Sequence, residues 1–234
     1  MSAPYCTAVI VASGSGKRLG MDKLLWPLAG KPVLWHAVCA FLHAKQVSAV
    51  VVVCPAERWE QMPPLISETP ILRVDGGAER QDSVACGLAA VSANSPYVAV
   101  HDGARPLVSA ADIDACIDAA IQHGGAALAH PAVDTLKRAD ASGFCCDSVP
   151  REQVWCMETP QVFRTELLRQ AISAVIRDGV SVTDEVSAAQ HAGFPVKLVA
   201  STRPNPKITL AADLALATAL ASGLQVPTPI RSHG

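Results

Sequence analysis

The sequence predicts an α/β layered domain built on a mainly parallel sheet, and two features carry that prediction. Runs at 6–12, 49–54, 71–74, 97–101 and 126–130 are dominated by Val, Ile, Leu and Ala without polar alternation, the pattern of strands buried on both faces. Helical stretches separate these runs, as expected of parallel strands joined by crossover helices. The chain has 234 residues, 50% of them hydrophobic. It can therefore bury a substantial core as one domain over 1–225, with room for an appendage but not for a second full domain.

Taken in order, the run at 6–12 reads as a buried strand that breaks into Ser13-Gly14-Ser15-Gly16-Lys17-Arg18. A helix is expected at 32–44, a strand at 49–54, a helix over part of 56–68, a strand at 71–74, a helix at 80–92 and a strand at 97–101. The helix at 109–122 is the best marked, with Ile113, Cys116, Ile117, Ala120 and Ile121 recurring on one face. Ser109 and Asp112 are spaced as a capping box and Gly124-Gly125 as a stop. After the strand at 126–130 the rhythm breaks. Residues 131–155 read as two extended segments around a polar Asp/Ser/Gly turn, an inserted β-hairpin arm. A ribbon too small for its own core is expected to pack on a partner subunit. Helices at 164–178, 184–192 and 210–222 and a strand at 196–200 complete the pattern, and the Pro-containing tail 226–234 is expected to be disordered. There is no internal repeat.

The 19 basic and 21 acidic residues are interspersed and give a net charge of −2. That balance leaves no footprint for a nucleic acid or a membrane surface and favours a small partner. The eight cysteines, at 6, 39, 54, 86, 116, 145, 146 and 156, form no C-x-x-C pair and read as buried thiols in a reducing compartment. The seven histidines lack ligand spacing. No signal sequence and no run near the length of a membrane span are evident, so a cytoplasmic location is expected.

The loop after the first strand combines Gly14, Gly16 and Gly20 with Lys17, Arg18 and Lys23. Bare backbone N–H groups and nearby cations suit a polyphosphate. It is not a P-loop, since Val11 and Arg18 stand where the first Gly and the Ser/Thr belong. It is not a dinucleotide fingerprint either, since Leu19 replaces the third Gly and Val53 and Cys54 stand where the ribose-binding acid belongs. Other strand ends carry similar chemistry: Asp75-Gly76-Gly77-Ala78-Glu79-Arg80, His101-Asp102-Gly103-Ala104-Arg105-Pro106 and Asp134-Thr135-Leu136-Lys137. Glycines beside carboxylates, hydroxyls and cations on one sheet edge describe a nucleotide pocket.

From about residue 7 to 220 the chain resembles the 2-C-methyl-D-erythritol 4-phosphate cytidylyltransferases of the non-mevalonate isoprenoid pathway. The matching stretches are 12–18 with Lys23, Gly76-Gly77 with Arg80 and Ser83-Val84, 100–106, 134–137, Arg151 before Thr159-Pro160-Gln161, 183–185, and 207–209 ahead of Asp213-Leu214. The resemblance implies a Rossmann-like nucleotidyltransferase fold and transfer of CMP from CTP to methylerythritol phosphate, with release of pyrophosphate. An acceptor phosphate is already anionic and needs no base to deprotonate it. Catalysis then rests on cations and a magnesium ion that offset the charge gathering on the phosphates.

Carried over residue by residue, the resemblance makes Arg18, Lys23, Arg151 and Lys207 the catalytic cations. It assigns the nucleotide to Ala12, Ser13, Gly14, Gly16, Gly77, Arg80, Ser83 and Asp102. It assigns the acceptor to Asp102, Gly103, Arg105, Thr135, Arg151, Thr159, Thr183 and Lys207, and magnesium to Asp102. Thr135 and Arg151 lie on the arm and would reach a neighbouring subunit's site, making the protein a homodimer through 131–155. The chain departs from the family's usual residues at Ser13, Leu24 and Ala78. A cytidylyltransferase acting on another polyol phosphate, such as ribitol 5-phosphate, and a nucleotide-binding module without chemistry are the alternatives.

Overall fold

The computed structural model describes residues 6–14 and 22–223 and is built around a seven-stranded sheet. β1 (Cys6–Val11) precedes a 3-10 turn at Lys23–Leu25, a short ribbon of β2 (Pro27–Leu28) and β3 (Lys31–Pro32), and α1 (Val33–Leu42). Strands and helices then alternate through β4 (Val47–Val53), α2 (Ala56–Glu60), β5 (Ile71–Val74), α3 (Arg80–Ala89), β6 (Tyr97–Asp102), α4 (Ala110–His123) and β7 (Gly125–Pro131). β8 (Leu136–Ala139) and β9 (Cys145–Val149) pair only with each other as an antiparallel hairpin. β10 (Trp155–Arg164), α5 (Thr165–Arg177), α6 (Glu185–His191), β11 (Lys197–Ala200) and α7 (Ala211–Ala221) follow.

The strand order is β11-β7-β10-β6-β1-β4-β5. All neighbours are parallel except β10, which runs antiparallel between β6 and β7. Successive side chains along a strand point to opposite faces, so two cores form. Ala8, Ile10, Val50 and Val52 face one side with α1 and α4, while Val9, Val51, Val53, Val98 and Val100 face the other with α3, α5 and α6. Each fully buried Ile or Phe here, such as Ile10 or Phe163, contributes about 1.5–3 kcal/mol relative to exposure.

The apolar runs expected as strands all form, and α4 ends as its glycine signal predicts. Gly124 adopts φ 85° and its N–H bonds Ala120 O at 2.7 Å, a left-handed cap that glycine adopts without steric cost. The capping box is only half made. Ser109 Oγ accepts Asp112 N–H at 3.0 Å, but Asp112 Oδ1 accepts Thr202 N–H at 3.1 Å and Thr202 Oγ1–H at 2.8 Å. A tertiary tie to the loop after β11 takes this oxygen, while Oδ2 accepts Ser109 Oγ–H at 2.8 Å.

Three expectations need correction. The strand β10 has no counterpart among the expected strands, because Pro160 in its middle reads as a strand breaker. The structure tolerates it at a register irregularity between Met157 and Gln161. The helix expected at 80–92 ends at Ala89, whereas the one expected over part of 56–68 does form, at Ala56–Glu60. Third, the cysteines are not uniformly buried. Cys6, Cys54 and Cys116 are, but Cys145, Cys146 and Cys156 are exposed, because the arm that carries the first two has no core. Its turn is organised by Asp140 Oδ1, which accepts the N–H groups of Ser142 at 2.9 Å and Phe144 at 3.0 Å. The tail 226–234 lies outside the described residues. Among the described residues no helix is long and apolar enough to cross a membrane.

Candidate active site

Parallel strands deliver their carboxyl ends to one edge of a sheet, and ligands bind beyond it. Val11 pairs in register with Val53 and Asp102, so the turns after β1, β4 and β6 open on the same edge. Gly103 N–H bonds Val11 O at 2.9 Å and Ala12 N–H bonds Val53 O at 2.8 Å. A Cβ at Gly103 would stand 2.9 Å from Leu34 Cδ1 and 3.1 Å from Ala12 Cβ; the turn approaches this closely because the residue is glycine.

Hydroxyls tie the β5 turn to the same edge. Ser13 Oγ–H donates to Ser83 Oγ at 2.7 Å, Gly77 N–H donates to that oxygen at 3.1 Å, and Ser83 donates its own proton to Glu79 O at 3.1 Å. One proton and two lone pairs are then in use, so the hydroxyl of the fully buried Ser83 is saturated. It knots the loop at Ser13 to the loop at Gly77.

Asp102, at the end of β6, is the electrostatic centre. Lys207 Nζ lies 2.8 Å from its Oδ2, Arg80 Nη2 3.3 Å from its Oδ1 and Arg105 Nε 3.8 Å from its Oδ2. Burial pushes this carboxyl up, but Arg80, Lys207 and Arg105 outweigh burial and hold it well below the usual carboxylate range. Arg80 also forms a bidentate pair with the buried Glu185, Nη1 to Oε1 at 2.5 Å and Nη2 to Oε2 at 3.1 Å. Burial moves the Glu185 carboxyl upward against the pull of Arg80. Three cations thus converge on Asp102, with Glu185 pairing Arg80 and the buried Glu158 also facing Arg105.

A chain of hydrogen bonds fixes the turn from 101 to 105. His101 Nε2 lies 3.0 Å from Arg105 O; a carbonyl only accepts, so the ring proton sits on Nε2. Nδ1 then accepts Thr159 Oγ1–H at 2.9 Å, and Thr159 Oγ1 accepts Asp102 N–H at 3.1 Å. Burial lowers the His101 pKa to about 4, which keeps the ring neutral, as this arrangement requires.

The loop before α7 is anchored on the other side. Arg105 Nη1 donates to Asn205 O at 2.7 Å and Nη2 to Met157 O at 3.2 Å. Asn205 Nδ2 donates to Glu158 Oε2 and to Thr159 O, both at 3.0 Å, and Ile208 N–H bonds Ala104 O at 2.8 Å. Fixed at Asn205 and Ile208, the loop presents Lys207 to Asp102.

Of the residues singled out in the sequence, Ala12, Ser13, Gly14, Gly77, Arg80, Ser83, Asp102, Gly103, Arg105, Thr159 and Lys207 belong to these turns and their hydrogen-bond network. Gly16 and Arg18 lie outside the described residues. Lys23 begins the 3-10 turn, and its charge helps lower the Asp213 carboxyl after the Thr209 and Leu210 hydrogen bonds do. Thr135 and Arg151 are exposed on or beside the arm, where Arg151 Nη1 donates to Val133 O at 2.7 Å. Thr183 is exposed and does not cap α6; Asp184 does so, accepting Ser187 N–H at 2.9 Å.

A sequence model of the 2-C-methyl-D-erythritol 4-phosphate cytidylyltransferases matches residues 6–222. The chain belongs to this family. The chloroplastic 2-C-methyl-D-erythritol 4-phosphate cytidylyltransferase of Oryza sativa subsp. japonica is 39% identical over 218 residues, 92% of this chain and 73% of that protein. The enzyme of the same description from Aeromonas hydrophila is 39% identical over 217 residues, 92% of this chain and 88% of the relative. Among solved structures, the 2-C-methyl-D-erythritol 4-phosphate cytidylyltransferase of Thermus thermophilus superposes with a TM-score of 0.77 at 34% identity. That match covers 92% of this chain and 98% of the other.

Within this cytidylyltransferase fold, Glu158, Asn205, His101 and Arg58 have roles that the sequence alone does not assign. Glu158 and Asn205 carry no local motif; they are recognisable only once β10 is placed beside β6. His101 lies inside a quoted motif, but its role depends on full burial. Arg58, on α2, looks like one solvated charge among Glu57, Trp59 and Glu60 until the fold sets it against the β1 turn.

Proposed function

We propose that the protein transfers CMP from CTP to 2-C-methyl-D-erythritol 4-phosphate, forming 4-diphosphocytidyl-2-C-methyl-D-erythritol and pyrophosphate in isoprenoid precursor biosynthesis. The observation that carries this reading is the cluster of Lys207, Arg80 and Arg105 around Asp102 at the carboxyl edge of the sheet, in a chain of this family. In this reading the loop from Ala12 to Lys23, with Arg18, receives the triphosphate. Gly77 and Ser83 border the base, and Arg105, Thr159 and Thr183 border the acceptor. The acceptor phosphate attacks the α-phosphorus as an anion. Lys23, Arg18 and Lys207 offset the charge that gathers on the α-phosphate and the departing pyrophosphate.

The donor set suits magnesium. Nucleotide-bound Mg2+ takes one or two carboxylates, with the remaining ligands from phosphates and water, and Asp102 supplies one carboxylate that its cations keep ionised. Bound there, the ion would neutralise phosphate charge. Asp102 would hold it, and Lys207 would offset phosphate charge beside it.

The arm supports a homodimer. Phe144 and Val133 are 73% and 75% exposed on a ribbon without its own core, and apolar side chains of that kind gain by packing on a second copy. Thr135 and Arg151 of one subunit would then border the other's site. A cytoplasmic location belongs to the same reading.

The test is pyrophosphate release with CTP, Mg2+ and each acceptor separately. Turnover with methylerythritol phosphate is expected. Turnover with ribitol 5-phosphate but not with methylerythritol phosphate would move the protein to the alternative acceptor, and none with either would leave a nucleotide-binding module.

A further inference from the structure

Arg58 stands apart from the charge cluster at Asp102, yet each of its guanidinium nitrogens is engaged. Nε donates to Asp22 Oδ2 at 2.5 Å, Nη1 to Ala12 O, and Nη2 to Gly14 O at 2.9 Å. The side chain is 6% exposed. Asp22 in turn accepts Leu24 N–H on Oδ1 at 3.0 Å and caps the turn that begins at Lys23. One guanidinium therefore holds the chain on both sides of residues 15–21, at 12–14 and at 22–24.

We propose that Arg58 is a positioning residue for CTP, a clasp that joins Ala12 and Gly14 to Asp22 and so fixes where the two ends of the loop, Ser13-Gly14 and Lys23, meet the triphosphate. The inference rests on the reading that this loop receives the triphosphate. Holding Ala12, Gly14 and Asp22 in place in the folded protein leaves less ordering of these residues to the binding step. Arg58 does not contact the ligand itself, since it is buried and its donors face two carbonyls and a carboxylate. The planar fork matters, because a lysine ammonium is a point charge that cannot span those acceptors together.

Steady-state kinetics of the full-length enzyme with each substrate varied in turn test the proposal. Arg58→Met keeps the apolar stem and removes the fork. It is expected to raise KM for CTP about tenfold or more while KM for methylerythritol phosphate changes less than about twofold. Asp22→Asn, at a part-exposed position, is expected to raise KM for CTP about threefold, and it replaces Arg58→Met as the deciding variant if that protein does not fold. An unchanged KM for CTP in the folded deciding variant, or an equal rise in both KM values, overturns the proposal. Lys23→Ala, whose CTP affinity is read by equilibrium titration rather than by turnover, separates this inference from the reading beneath it. If Lys23→Ala weakens CTP and the clasp variant does not, the loop holds triphosphate and Arg58 does not position it. If Lys23→Ala also leaves CTP unaffected, the loop reading itself fails.

Discussion

Lys207 Nζ lies 2.8 Å from Asp102 Oδ2, joining the loop before α7 to the end of β6. The lysine side chain keeps 41% of its exposure while Asp102 keeps 12%, so the ammonium can turn toward an arriving phosphate as the carboxylate stays in place. Lys207→Ala is expected to lower kcat about 10²- to 10³-fold, the scale of a single electrostatic stabiliser. Stopped-flow or quench measurement of CMP transfer checks this. A loss confined to KM for either substrate would instead mean that Lys207 serves ground-state binding.

Glu185 is the counterion that keeps Arg80 in the site. The carboxylate is 1% exposed and Arg80 27%. Removing the charge leaves the guanidinium with Asp102 at 3.3 Å as its remaining carboxylate and with some access to water. Glu185→Gln is therefore expected to destabilise the fold by on the order of 2 kcal/mol, below the roughly 3–5 kcal/mol of a fully buried pair. Chemical denaturation measures it, and a change under about 0.5 kcal/mol would assign the pair no structural weight.

His101 sets an acid limit on stability. Burial lowers its pKa in the folded protein to about 4 from 6.5. Between those values the unfolded chain binds the proton and the native state does not. Stability therefore falls as pH drops from about 6.5 to about 4, by on the order of 3 kcal/mol in all. Replacing the ring with a group that does not titrate, His101→Gln, is expected to flatten this part of the stability profile even though it lowers stability at neutral pH. An unchanged slope would place the titration elsewhere.

The parts of this site that are legible in the sequence are those where close backbone approach demands glycine. Gly103 and Gly76-Gly77 mark the turns that meet, and Asp102 and Arg80 stand beside them. The strands are legible because burial on both faces removes polar alternation. What escapes depends on packing. β10 hides behind Pro160, and only the register irregularity at Met157 and Gln161 shows how a sheet centre accepts it. Arg58 and Glu158 act on segments distant in sequence, so nothing local distinguishes them from solvated charges.

The proposed exchange of arms between subunits has a consequence that cis contacts lack. Consider Lys23→Ala and Arg151→Ala proteins, each inactive alone, unfolded together and refolded as a mixture. In a mixed dimer, one site combines both defects. The other takes Lys23 from the Arg151→Ala subunit and Arg151 from the Lys23→Ala subunit, and so is intact. Random pairing makes half the dimers mixed with one good site in two, so activity should return to roughly a quarter of the wild-type value. If Arg151 instead serves the site of its own chain, every site in the mixture carries one defect and no activity returns. The exposed position of Arg151, with one guanidinium nitrogen on Val133 O at 2.7 Å and the rest of the fork turned to no partner among the described residues, leaves it donors for a phosphate on a neighbouring subunit.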